Sequence, residues 1–325
     1  MPLQFEVPAY KKIRVIIDTD AACEADDPFA IAHALMSKKL EVKAIFAEQF
    51  ACEGSTKKSF EEIQTILGAM DISVPVFMGE ARRLTEANDT LPGALLLNAT
   101  QDGTPCNMFE KTSALSWNAV SPASQFLIEE ALRDDGKPLF VLCQGAITNI
   151  ASAILANREI VKHMTIVWIG GQTPDNCISN LREFNCGNDV EAANIVISSG
   201  VQFWQIPFNV YTTMNISLAE IQRRIYPCGK IGKHLFENMV EYNMSDRAGW
   251  TQGESWSFGD SPAVGVAINP GCGTYVMHEA PFFHEDTTHE YGVGLPQIRI
   301  YTSVDSRFVL EDFISKLQLL YGESK

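Results

Sequence analysis

Positive charge is scarce in this 325-residue chain: 25 Lys and Arg stand against 40 Asp and Glu, for a formal net charge of −15. That balance excludes nucleic acid and anionic membrane surfaces as partners and favours a small-molecule substrate. Long apolar runs are also missing. No stretch approaches the roughly eighteen apolar residues of a membrane span, and the opening MPLQFEVPAYKK has no apolar core of the kind an export signal needs. The eight cysteines (Cys23, Cys52, Cys106, Cys143, Cys177, Cys186, Cys228 and Cys272) form no CxxC pair and no ordered spacing. They read as reduced thiols in a cytoplasmic protein, not as a disulfide framework. No Gly-rich loop followed by Lys stands after a strand, which disfavours a phosphate-directed enzyme. Repeats and low-complexity tracts are lacking too.

What is present is concentrated at residues 15–35, VIIDTDAACEADDPFAIAHAL. A β-branched run leads into five acids within ten positions and then into apolar residues at helical spacing: a buried strand, an acidic turn and a helix start. Asp18, Asp20, Asp26 and Asp27 cannot all stay ionised at the end of a buried strand without a compensating charge, because each desolvated carboxylate costs several kcal/mol, roughly. The segment holds no Arg or Lys after Arg14. A basic side chain from elsewhere, a shared proton or a metal would serve, and carboxylates at short spacing suit a hard ion such as Ca²⁺ or Mg²⁺. Asp27 alone reads equally well as a helix cap beside Pro28, which fits a first helical turn.

The rest of the chain alternates strands and helices. Strands are expected at 14–17, 41–46, 74–77, 139–142, within 162–169, at 203–210 and within 294–302. Helices are expected at 28–37, 57–70, 124–133, after the turn through Gly145 and Thr148, at 190–198, in pieces over 217–247, at 264–268 and at 306–320. Residues 79–120, mixing charge, Gly, Pro and Thr, read as an irregular excursion that overlies a site. This alternation predicts an α/β fold in three layers, a mostly parallel (mixed) central sheet with helices on both faces. Its ligand site then lies beyond the carboxyl ends of the strands.

With DTDAACEADDPFAIAHAL, CQGAITNIASAI, IVWIGG, REFN and GDSPAV in hand and in this order, the chain resembles the inosine-uridine preferring nucleoside hydrolase family, as a divergent member, over about residues 13–320. The resemblance implies a single Rossmann-like domain spanning residues 1–325, a bound Ca²⁺, hydrolysis of an N-glycosidic bond to ribose and base, and a homodimer or homotetramer. It places Asp20 and Asp27 on the metal, with the main-chain carbonyl of Gln144 and with Asp260 as the last protein ligand. It puts Asp26, Glu183 and Asn185 on the ribose hydroxyls, joined by Asn176, with Asn180 as the alternative. Asp20 is then the general base toward the attacking water.

The departures from that pattern bear on the substrate. Two extra residues separate DTD from DD, so the loop must bulge around Glu24. The family's early Gly-Asn has no clear counterpart, with Glu48, Gln49 and Glu53 in its neighbourhood. The His that often precedes the last aspartate is Gly259 here. Trp256 and Phe258 stand just ahead, and Trp256 is expected to stack on the base. The rival readings are a metal-stabilised nucleoside- or ribose-binding protein that has lost catalysis, and a hydrolase of a non-standard glycoside or phosphate using the same acids.

Overall fold

Strand β1 (Ile13–Thr19), the IRVIIDT run, is buried along its whole length. Such a residue run suits a parallel strand covered on both faces. The computed structural model describes residues 3–84, 115–174, 178, 181–292 and 294–322, and β1 lies inside its eight-stranded sheet. The other strands are β2 (Leu40–Ala47), β3 (Val76–Met78), β4 (Leu139–Gln144), β5 (Met164–Ile169), β6 (Gln202–Ile206), β9 (Gly273–Glu279) and β12 (Gln297–Val304), while β7 (Asn215–Ser217) with β8 (Ser255–Ser257) and β10 (Phe282–Phe283) with β11 (His289–Glu290) form separate two-stranded pairs. The order in the eight-stranded sheet is β3-β2-β1-β4-β5-β6-β12-β9. All neighbours pair parallel except β12 with β9, which is antiparallel and closes one edge.

Alternation along the strands sorts the side chains into two cores. Val15, Ile17, Ile45, Leu142 and Val167 face one core, packed by the helices Asp27–Met36, Ser55–Met70, Gly229–Asn243, Ser261–Ile268 and Ser306–Tyr321. Ile16, Phe46, Val141, Cys143, Ile166 and Trp168 face the other, under the helices Pro122–Ala131, Thr148–Ala156 and Val190–Ser198. The expected three-layer α/β architecture is what the chain adopts. After β1 the chain builds β2 and β3 to one side and then returns to place β4 on the other. Thr19 therefore registers with both Ala47 and Gln144. This reversal opens a crevice at the carboxyl ends of β1 and β4, where parallel sheets of this type bind ligands.

Two elements differ from the sequence expectation. The strand expected over 203–210 ends at Ile206, because Pro207 has no N–H for the ladder; the chain turns into a short helix, Phe208–Tyr211. The edge strand β9 was not foreseen: its TYVM run is mostly exposed and lacks the apolar alternation of a half-buried strand. Most of the 79–120 excursion lies outside the described residues. Among the described residues no helix is long and apolar enough to cross a membrane.

Candidate active site

Two helix N-termini carry the acids. Asp26 precedes the helix Asp27–Met36, and Asp260 precedes the helix Ser261–Ile268; each helix has a proline in its first turn and neither aspartate caps its own helix through the side chain. Their carboxylates are thus left free to meet. Oxygens of Asp26, Asp27 and Asp260, all three buried, lie within 4.8 Å of one another. Thr19 Oγ1, at the end of β1, donates to Asp27 Oδ1.

Asp20 stands at the end of β1, 2% exposed, where its carbonyl accepts the N–H of Cys23 at 2.7 Å and closes the turn. Its Oδ2 has no hydrogen-bond partner. Gln144, at the end of β4, is equally buried, and neither polar atom of its side chain is paired. Unpaired buried polar atoms are costly, so their presence at one crevice marks a place built to receive a ligand.

Burial pushes every one of these carboxyls upward, and mutual repulsion adds to it for Asp20, Asp27 and Asp260. Asp27 reaches about 8. Asp26 reaches only about 6, because the N–H groups of Gly259 and Asp260 and the indole of Trp256 donate toward it. The crevice is also lined by Cys23, Glu24, Ile169, Phe184, Asn185, Tyr211 and Gly259, and, among the described residues, by no basic one. Clustered buried oxygens without a basic partner fit a hard divalent cation, which favours carboxylate and carbonyl donors. No thiolate or imidazole cluster competes for that role among the described residues.

A second set of buried acids lies behind the first. Asp18 accepts from Asn149 Nδ2 at 2.8 Å and lies within electrostatic reach of Glu48, whose carboxylate takes the N–H of Gln49 and of Asn149. Its side chain, pushed up to about 7 by burial, points away from the crevice.

Glu183 caps the helix Phe184–Asn188. Its carboxylate accepts from the N–H of Gly171 and Cys186 at 2.8 Å, from Asn185 N at 3.3 Å and from the Tyr211 hydroxyl at 2.8 Å. Asn185 donates through Nδ2 to Ile169 O at 2.9 Å and faces the crevice.

The model of the inosine-uridine preferring nucleoside hydrolases matches residues 15–310. The chain belongs to that family. It is by family an N-glycosyl hydrolase. The pyrimidine-specific ribonucleoside hydrolase RihA of Salmonella enteritidis PT4 is 27% identical over 296 residues, covering 89% of this chain and 86% of that protein. Solved structures share the fold. An inosine-guanosine nucleoside hydrolase superposes with a TM-score of 0.71 at 20% identity, over 94% of this chain and 98% of that one. A purine-preferring ribonucleoside hydrolase from Gardnerella vaginalis gives 0.69 at 21%, over 95% and 99%.

In this nucleoside hydrolase, Asp20, Asp26, Asp27, Gln144, Asn185 and Asp260 gather at the crevice. Glu183 sits one layer behind, and Asn176 lies outside the described residues. Trp256 does not line the crevice. It is 4% exposed on β8 (Ser255–Ser257), packed against Tyr242 and Trp250, with its indole toward Asp26. It thus supports Asp26 from behind, and the aromatic rings that face the crevice are Tyr211 and Phe184. Sequence reasoning missed Tyr211, whose signal was Pro207 ending β6 early. The ring also bears on Gly259: a Cβ there would stand 3.1 Å from Asp26 Oδ2 and 3.3 Å from the Tyr211 ring, so any side chain at this position requires Asp26 or Tyr211 to give way.

Gly145 is a further sensitive position. A Cβ on it would fall 2.8 Å from Asp20 Oδ1 and 2.9 Å from its Cγ, too close for either group to stay in place. Gly145→Ala is expected to displace the Asp20 carboxylate and lower kcat/KM by about 10²-fold, the cost of a misplacement near 1 Å. Initial rates with the far-ultraviolet circular dichroism unchanged check this; a fully active variant removes Asp20 from the reacting centre.

Proposed function

We propose that this chain is a Ca²⁺-dependent, cytoplasmic hydrolase of ribonucleosides or related N-ribosyl compounds, acting as one domain over residues 1–325. The observation that carries the reading is the convergence of Asp26, Asp27 and Asp260 beside Asp20 and the unpaired Gln144 in one crevice. Asp20, Asp27, the Gln144 carbonyl and Asp260 hold the ion. When bound, it supplies positive charge against the sugar diol and favours deprotonation of a nearby water. Asp20 takes the proton from the attacking water as the C1′–N bond opens. Asp26, Asn176, Glu183 and Asn185 hold the ribose hydroxyls, and Trp256 keeps Asp26 in position. The free thiols Cys23, Cys52, Cys143, Cys186, Cys228 and Cys272 suit a reducing compartment. Tyr275, Val276 and Met277, exposed on edge strand β9, suit a homodimer or homotetramer.

A nucleoside panel scored for free ribose, with and without chelator, tests the activity. Ribose release that stops on chelation and returns with Ca²⁺ is expected. Absence of ribose from every substrate, together with measurable nucleoside binding, supports instead the binding-protein reading that Gly259 motivates.

Stability gives an independent check. Without an ion the folded chain holds more protons than the unfolded one from about pH 4 to 8, because burial raises Asp26 and Asp27 from 3.8 to about 6 and about 8. Stability therefore falls as pH rises through that window. Ca²⁺ at one hundred times its Kd is expected to add about 2.7 kcal/mol, a Tm increase of about 5 °C, with the gain growing toward pH 8. A Tm indifferent to Ca²⁺ at pH 8 rules out the ion at this site.

A further inference from the structure

We infer that the leaving group for which this crevice is built is a cationic heterocycle, one whose ring nitrogen is quaternised by the ribose or by a second alkyl group. The inference rests on the reading of the chain as an N-riboside hydrolase and specifies its substrate class. Two independent observations point to it.

The first is charge. Asp20, Glu24, Asp26, Asp27 and Asp260 all line one crevice that, among the described residues, no Lys, Arg or His lines. Burial raises all five carboxyls, Glu24 to about 8, so positive charge placed among them is favoured, and a divalent ion offsets only two of the five charges they carry when ionised. Glu24 belongs to the two-residue expansion of the acidic loop and makes no hydrogen bond or ion pair with a described residue. It is half-buried at the crevice wall, within electrostatic reach of Asp26, Asp27, Glu183 and Tyr211. Around it stand Phe184 and Tyr211, which present aromatic surface to the same space. A carboxylate beside aromatic faces is the arrangement that holds a flat cation, since the ring faces carry negative potential as well.

The second is the missing acid. A neutral base leaves as an anion unless a proton reaches it, so cleaving a common nucleoside calls for a general acid. Gly259 has no side chain to supply one, a Cβ there would already crowd Asp26 and the Tyr211 ring, and the Tyr211 hydroxyl at the crevice is given to Glu183. A cationic leaving group removes that need. As the C1′–N bond breaks, its electron pair cancels the formal charge on the ring nitrogen and the base departs neutral. The water oxygen bonds to C1′, one water proton passes to Asp20 and then to solvent, and the products are ribose, neutral base and one proton. Glu24 favours the charged ground state on binding, and Asp20 alone handles the proton.

Matched pairs test this: 7-methylinosine against inosine, and nicotinamide riboside against uridine. Because cationic ribosides are intrinsically more reactive, the decisive quantity is how the cation-to-neutral ratio of kcat/KM changes in Glu24→Gln, which keeps shape and loses charge. That ratio is expected to fall at least about tenfold, mainly through KM of the cation. A wild-type measurement stands beside it: 1-methylnicotinamide, a cation with no ribose to lose, should inhibit more tightly than neutral nicotinamide. Equal inhibition by the two, or an unchanged ratio in the variant, overturns the inference while ribose release from neutral nucleosides leaves the hydrolase reading standing. Failure to release ribose from any member of the panel instead sinks the hydrolase reading itself.

Discussion

Asp20→Asn is expected to reduce turnover by about 10³-fold or more while the protein remains folded, in the upper part of the range for loss of a general base. The substitution preserves shape, so the contact with Gly145 stays acceptable. The chemistry changes in two ways. The amide has no basicity with which to take a proton from water, and its NH₂ group directs hydrogen atoms toward the place where the cluster of oxygens favours a cation. Asp20 carries no ion pair that the variant would break, and its Oδ2 has no partner to lose. The repulsion that Asp27 and Asp260 exert on it disappears. The Tm in chelator is therefore expected to hold or rise as activity collapses. Steady-state rates alongside a thermal melt decide the matter: full activity removes Asp20 from its role, and a collapsed Tm makes the loss a folding effect.

The largest effect on stability is expected at the other end of the same strand. Arg14, 3% exposed, enters β1 from below and ties it to the chain segment ahead of β4. Its Nη1 donates to Glu130 O at 2.7 Å and to Glu130 Oε1 at 3.2 Å. Its Nε and Nη2 donate to Lys137 O at 3.1 and 2.9 Å, and Asp135 Oδ1 lies 3.1 Å away. Arg14→Ala leaves two carbonyls without this partner and the 1%-exposed Glu130 with only Arg133, whose Nη2 lies 3.1 Å from its Oε2. The expected loss is about 3 kcal/mol, the lower end of the cost of breaking a buried pair from one side. Urea denaturation measures it. The double substitution Arg14→Met with Glu130→Leu should lose less than the sum of the singles, because the two side chains are direct partners. Additive losses would show that the pair contributes no coupling.

Much of the fold was legible because its signals are local. A β-branched run followed by apolar residues at helical spacing can be read directly for β1 and the helix after it, and Asp26, Asp27 and Pro28 mark that helix start by backbone chemistry alone. The GAITN turn after β4 and the paired glycines after β5 punctuate the chain the same way. The reading faltered where local and tertiary preference part. Phe208 and Val210 carry apolar side chains suited to a strand, and Pro207 at the ladder outweighed them. Strand β9 lies at an edge with one neighbour and an exposed TYVM run, so burial wrote no pattern into it.

Trp256 and Tyr211 show the same limit within the site. Both are aromatic and close in sequence to site residues, and nothing in the sequence tells which ring faces the crevice. Burial decided it: Trp256 packs among Tyr242 and Trp250 behind Asp26, while the short helix after Pro207 carries Tyr211 to the front. Glu183 was legible as a polar residue with a role, but its four backbone and hydroxyl donors became visible only with the surrounding loops in place.

By itself the sequence determined the alternating strands and helices, the acidic turn after a buried strand and, through motifs in order, the family. The tertiary structure brings Asp260 to Asp26 and Asp27 in space, where the resemblance had set it beside Asp27, and it alone decided that Tyr211 stands beside Gly259 and that Glu24 stands in the same crevice. The reason is physical. Strand and helix preference are set by a residue's near neighbours, whereas the meeting of two helix N-termini depends on how both layers pack across the sheet, through contacts between residues far apart in the chain.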